Sequence, residues 1–272
     1  MYLKTPELKG ECCYYKNDFR RGRASLVFLH GLTGHSGVWK SYMNHFGKRY
    51  NILAIDLTGH GKSKRPYKFS GYSISSISDS VLKILKKENI SSAHFVVHSY
   101  SFLIFLELVK KHKNVVKSSI TISPYYPNHK TKEWKISRLI SIFASALVFF
   151  LPTRKKHSLS DYSLEKENDA DVQLIKVAAS IIKTGIKSAI ATGYYSLKYR
   201  NPQDWNGIKV PLLIITGKLD TVIHLEEVKN LASKITNSNL VVLEENNHLL
   251  VCPFHYKLIP IMEKFLEGKK LI

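Results

Sequence analysis

Along the chain, apolar residues follow two rhythms. Short unbroken runs alternate with longer stretches in which bulky residues recur every three or four positions. The runs Ser25–Leu29, Tyr50–Ile55, His94–His98, Lys117–Ser123, Leu212–Ile215 and Leu240–Leu243 predict buried strands, and Glu11–Tyr15 predicts a weaker first strand with poor alternation. Helical spacing appears at Trp39–Phe46 and at Ile74, Ile77, Val81, Leu82 and Leu85. It recurs from Tyr100 to about His112, from Leu225 to Lys234, and in a final stretch to Leu266. Strands that alternate with helices predict an α/β domain whose mostly parallel sheet is covered on both faces.

After Pro124 the strand signals stop until Val210. Residues 125–205 therefore read as a helical insertion, a cap or lid, between two strands of one sheet, leaving a discontinuous core of residues 1–124 and 206–272. Its most apolar piece, Leu139–Leu151, is flanked by Lys130, Lys132, Lys135 and Arg138 before it and by Arg154, Lys155 and Lys156 after it. That piece is too short and too interrupted to span a bilayer comfortably. It predicts a cap helix over an apolar pocket, with an interfacial lid for anionic head groups as the sharper alternative. Ile175, Ala178, Ala179, Ile182, Ile186 and Ile190 form a second stripe expected to face the core. Tyr194, Tyr195, Tyr199 and Trp205 are expected to line a pocket or to seal the cap.

With 272 residues and 44% hydrophobic residues, the chain can build one large core. Met1–Glu7 lacks the apolar run of a secretory signal, so a cytoplasmic location is expected. Three cysteines without ligand spacing predict neither a disulfide framework nor a zinc site. The net charge of +20 is spread over the whole length, mostly as lysine, without a nucleic-acid motif. It predicts a solvated basic surface, peripheral contact with anionic membrane at most, and no specific nucleic-acid partner.

The chemistry is concentrated at strand ends. His30-Gly31-Leu32-Thr33-Gly34 follows a strand, and a glycine-rich turn there exposes backbone N–H groups, with Leu32 N–H a candidate oxyanion donor. Asp56-Leu57-Thr58-Gly59-His60-Gly61-Lys62-Ser63 reads as a structural loop in which Asp56 bonds nearby backbone N–H groups. The rival reading makes Asp56 the triad acid or Ser63 a nucleophile. Val97-His98-Ser99-Tyr100-Ser101 turns a strand directly into a helix, presenting Ser99 as a nucleophile and Tyr100 N–H as a second donor. His98 should point away from that site if the strand pleat holds. Asp220 follows the strand at Leu212, and His248 follows the strand at Leu240, which completes the order Ser…Asp…His.

With these motifs in place the chain resembles the α/β-hydrolase superfamily, over about residues 25–267 outside the insertion. The resemblance rests on the His-Gly-x-x-Gly turn at His30–Gly34, the Asp-x-x-Gly-x-Gly-x-Ser loop at Asp56–Ser63, the elbow at Ser99, the acid at Asp220 and the histidine at His248. It implies a serine esterase or lipase-like enzyme acting on a small-molecule ester with an apolar acyl or alcohol part, without metal or organic cofactor. Val97 and Phe102 put bulk where relatives keep little, which predicts a splayed elbow or a shifted helix. A degenerate binding protein is therefore the competing class. Thioester hydrolysis, acyl transfer and C–C hydrolysis remain open on the same triad.

Overall fold

A strand covered on both faces has no solvent side, so both of its residue sets are apolar and the run is continuous. Four strands of this kind, β2 (Ser25–Leu29), β3 (Asn51–Ile55), β4 (Ala93–His98) and β6 (Leu212–Gly217), share the centre of the sheet with β5 (Val116–Ile122), which is buried apart from Lys117 but carries Ser118, Ser119 and Thr121 as well. β1 (Tyr14–Lys16) and β7 (Ser238–Leu243) lie at the two edges. The computed structural model describes residues 12–127, 184–200, 205–244, 246–248, 250–251 and 254–269.

The seven strands run in the order β1-β3-β2-β4-β5-β6-β7. β1 is antiparallel to β3, and every other pairing is parallel. Parallel pairing brings the C-terminal ends of β2, β4, β6 and β7 to one edge, so the loops that follow them converge there. The register aligns Leu29 with Val97, His98 with Ile122, Ile122 with Ile215, and Gly217 with Leu243.

Alternate strand residues feed two cores. Val27, Leu53, Phe95, Val97 and Ile214 pack with α2 (Ile74–Lys87), α3 (Ser101–Lys111) and, beyond the described helix at Ile186–Lys198 (α4), with α5 (Leu225–Ser233). Leu26, Phe28, Ile52, Val96 and Ile215 pack on the other face with α1 (Lys40–Phe46) and α6 (His255–Leu266). The predicted stripe Ile74, Ile77, Val81, Leu82 and Leu85 is the buried face of α2. Ser73 caps that helix by accepting the Ser76 N–H, and Lys86 and Lys87 complement its dipole at the other end. Asn89 then takes a left-handed φ of 54°, with Asn89 N bonded to Lys86 O and Ile90 N to Leu85 O. This is a Schellman stop.

Of the insertion, only residues 125–127, 184–200 and 205 are described. The segment Leu139–Leu151, expected as a cap helix, and the part of the second stripe before Ile186 lie outside the described residues. Where that stripe is described, it departs from expectation. Ile186 is 52% exposed, and α4 buries Lys187, Ser188, Ala191, Thr192 and Ser196 instead. Small and hydroxyl-bearing side chains let α4 approach the loop after β3, where the Tyr72 and Ser188 hydroxyls meet at 3.0 Å. The four aromatic residues make contacts at the edge of the core. Trp205 stacks edge-on against Tyr126, Tyr194 and Tyr195 gather around Phe69, and the Tyr199 hydroxyl donates to Glu107. Among the described residues no helix is long and apolar enough to cross a membrane.

Candidate active site

The turn from β4 into α3 puts Ser99 in the left-handed region, with φ 52°. A non-glycine residue pays strain for that backbone and keeps it only when the surroundings fix it. Here Ser99 N donates to Ile122 O of the neighbouring strand at 2.9 Å, and Phe102 N and Tyr125 N both donate to Ser99 O. These bonds fasten the turn to β5 and to the first turn of α3. Val97 points into the α2–α3 core, and Phe102 stacks on Phe105 in that same core, so their bulk lies beneath the helix and away from the turn.

The loops after β6 and β7 bring two partners to Ser99. His248 Nε2 lies 3.1 Å from Ser99 Oγ, and His248 Nδ1 lies 2.9 Å from Asp220 Oδ2. The other Asp220 oxygen accepts the Val222 and Ile223 N–H groups at 2.9 and 2.8 Å. Burial opposes ionisation of Asp220. The hydrogen bond from His248, its charge and the two backbone donors outweigh that and hold the carboxyl below its usual range. An ionised carboxylate only accepts, so Nδ1 carries the imidazole proton and Nε2 presents a lone pair to the Ser99 hydroxyl. That set of bonds suits Nε2 to take a proton from Oγ.

The acid and base loops are locked to each other at one glycine. A Cβ on Gly217 would fall 2.0 Å from Asn246 O, and Leu219 N donates to that same carbonyl at 2.9 Å. Only a residue without a side chain allows this approach. Farther along, Tyr42 of α1 donates its hydroxyl to Val251 O and fixes the chain just after His248.

The turn after β2 lies on the other side of Ser99. Gly34 N donates to Gly31 O and closes it, and Ser101 of the elbow helix donates its hydroxyl to His30 O. His30 donates from Nδ1 to Gly31 O at 2.8 Å and accepts the Leu57 N–H at Nε2. Burial, and then the nearby His60, push its pKa well below the ordinary histidine value, so it is a neutral strut. Leu32 lies in that turn and Tyr100 follows the serine, and no acceptor among the described residues takes either backbone N–H. Two such donors are what a developing oxyanion needs.

The loop after β3 holds the remaining predicted residues, away from Ser99's partners. Asp56 accepts Ser36 N at Oδ1 and Lys62 N at Oδ2. Gly59 and Gly61 both have positive φ, and a Cβ on Gly61 would fall 2.3 Å from Asp56 Oδ2. Ser63 donates to Asp56 O and accepts from Cys13 N. Asp56 and Ser63 thus bond to backbone groups of their own surroundings, as the structural reading of this loop expects. Among the described residues no three His, Cys, Asp or Glu side chains converge as a metal site. Sequence reasoning passed over His98, Ser101 and Gly217 as contact-makers, because their partners lie far away in the chain.

Residues 24–252 match the family model described as alpha/beta hydrolase fold. Among curated proteins, the chain is 37% identical over 108 residues to "Probable lysophospholipase BODYGUARD 4" of Arabidopsis thaliana, covering 38% of this chain and 26% of that protein. It is 23% identical over 240 residues to human Protein ABHD8, covering 84% of this chain and 52% of that protein. The chain thus spans from about a quarter to about half the length of these relatives. Among solved structures, MGS-M2, an alpha/beta hydrolase enzyme from a Medee basin deep-sea metagenome library, superposes with a TM-score of 0.74 at 17% identity, over 98% of both chains.

Proposed function

The chain belongs to the α/β-hydrolase family, and on that premise we propose that it is a serine hydrolase of carboxylic esters with an apolar acyl or alcohol part. The observation that carries this reading is the bonded series Asp220–His248–Ser99, with distances of 2.9 and 3.1 Å. Ser99 Oγ attacks the ester carbonyl while His248 Nε2 takes its proton. The negative charge that develops on the carbonyl oxygen is met by the Leu32 and Tyr100 N–H groups. His248 then protonates the departing alkoxide, which leaves as the alcohol, and an acyl group stays on Ser99. Water, deprotonated by His248, attacks that acyl group; the C–Oγ bond breaks, His248 returns the proton to Ser99 Oγ, and the acid leaves. Asp220 keeps the imidazole in the Nδ1–H form and stabilises it while it is positive.

Preference for an apolar substrate part is supported by the surroundings of these loops. Leu32 in the oxyanion turn is 40% exposed, and Leu219 and Val222, on either side of Asp220, are 59% and 63% exposed. Exposed apolar side chains beside a polar reacting centre suit an acyl chain better than a charged ligand. The test is hydrolysis of p-nitrophenyl esters of increasing chain length by wild type and Ser99→Ala. A loss on the order of 10⁴-fold in the variant is expected. Equal rates for the two proteins across the series would contradict the reading.

A further inference from the structure

His98 is the residue before the proposed nucleophile, and it does not face the reacting atoms. The pleat of β4 turns it to the side of Val96, toward α1 and α6, where Leu250 and Val251 also pack. The segment that carries His248 runs along this face. His98 Nε2 lies 3.2 Å from His248 O, and the two rings are 5.3 Å apart with 38° between their planes. A carbonyl only accepts, so Nε2 carries the proton and Nδ1 is left with its lone pair. Nδ1 is turned to the oxyanion turn: a Cβ on Gly31 would fall 2.8 Å from Nδ1 and 3.3 Å from Cε1. The imidazole therefore occupies the space that any side chain at Gly31 would need.

We propose that His98 is a positioning residue, holding the His248 loop by a hydrogen bond and the Gly31–Leu32 turn by direct packing, so that base and oxyanion donor keep one fixed separation across Ser99. The proposal rests on the serine hydrolase reading above. Base and donor come from loops more than two hundred residues apart, and among the described residues His98 touches both. Burial, and next the neighbouring His248, lower the His98 pKa to about 3. It therefore stays neutral while His248 gains and loses a proton, and it adds no competing positive charge. An apolar residue of similar size would fill the same space and bury the same area, but it would release the His248 carbonyl. Loss of the bond is thus separable from loss of packing.

The test compares His98→Leu, which keeps bulk without a donor, with His98→Gln, whose amide N–H can reach the position of the imidazole Nε2. Activity on a p-nitrophenyl ester is normalised to the fraction of protein that takes up an active-site phosphonate. His98→Leu is expected to lower kcat by about 10- to 100-fold with KM within about twofold of wild type. His98→Gln is expected to recover most of that loss. An unchanged kcat in His98→Leu, or no recovery in His98→Gln, would overturn the proposal. Should His98→Leu fail to fold, His98→Asn replaces it, since its amide is too short to reach the carbonyl. About tenfold higher kcat for Gln than for Asn supports the role, and equality overturns it. Failure of the underlying reading looks different: wild type itself would take up no phosphonate at Ser99.

Discussion

Two buried aspartates end two parallel strands of the same sheet, and they are put to different uses. Asp56, after β3, commits both oxygens to backbone N–H groups, those of Ser36 and Lys62. Asp220, after β6, gathers its two backbone donors on a single oxygen and leaves the other to His248. Both loops need a glycine where a side chain would collide, Gly61 against the Asp56 carboxylate and Gly217 against the backbone of Asn246. The first glycine closes its loop on itself. The second lets a different loop approach, the one that carries the base. A carboxylate at a strand end is thus a structural clasp or a candidate catalytic acid according to whether one oxygen is kept for a side chain.

Asp220→Asn should reduce kcat/KM on a p-nitrophenyl ester by roughly 10³- to 10⁴-fold, because the amide no longer fixes the Nδ1–H tautomer. Its melting temperature should change little. Asp56→Asn should do the reverse, lowering unfolding free energy by about 2–4 kcal/mol in urea denaturation, since one buried backbone N–H loses a charged acceptor. Activity per folded molecule should stay within about tenfold of wild type. If Asp56→Asn abolished activity in fully folded protein while Asp220→Asn did not, the two assignments would have to be exchanged. Gly217→Ala should lower kcat by about 10²-fold, because displacing Asn246 shifts His248 relative to Ser99. That loss is read from steady-state kinetics on protein whose fold is checked by circular dichroism.

Acid should act first on the structural side of this comparison. Burial holds His60 at a pKa of about 4 and His98 at about 3, and keeps His30 well below the ordinary value of 6.5. The unfolded chain binds protons at about 6.5 while the folded chain resists them. Stability is therefore fully present above about pH 7 and falls as pH drops through 6.5 toward 4, by at most about 1.4 kcal/mol per pH unit for each such histidine. His94, partly buried, is lowered in the same direction. His30 and His60 brace the loop after β3, so His60→Gln should flatten the slope of stability against pH without abolishing it. Urea denaturation at a series of pH values measures this, and an unchanged slope would show that His60 is not buried neutral.

Much of this was legible in the sequence, and what was not has a common cause. β2, β3, β4 and β6 are covered on both faces and so read as largely apolar runs. The order Ser99, Asp220, His248 is a pattern of positions at strand ends, and the parallel topology converts such positions into one edge of the sheet. The contacts that fix the site were not legible. His98 bonds to a carbonyl 150 residues away, Ser101 donates to His30 across 71 residues, and Gly217 is required by Asn246 rather than by its own backbone. None of these leaves a local signature. At Ile186 the expected face is exposed for a related reason, since helical periodicity identifies a face without naming the neighbour. The face that α4 presents to Tyr72 and Gly59 is small and hydroxylated.

The most direct measurement is the intact mass of the wild-type protein after incubation with a fluorophosphonate, followed by peptide mapping of the adduct. The account predicts one phosphonyl group per chain, located on Ser99, with labelling slowed in Asp220→Asn and preserved in Asp56→Asn. Folded protein without an adduct, or an adduct on Ser63 or any other serine, would contradict it.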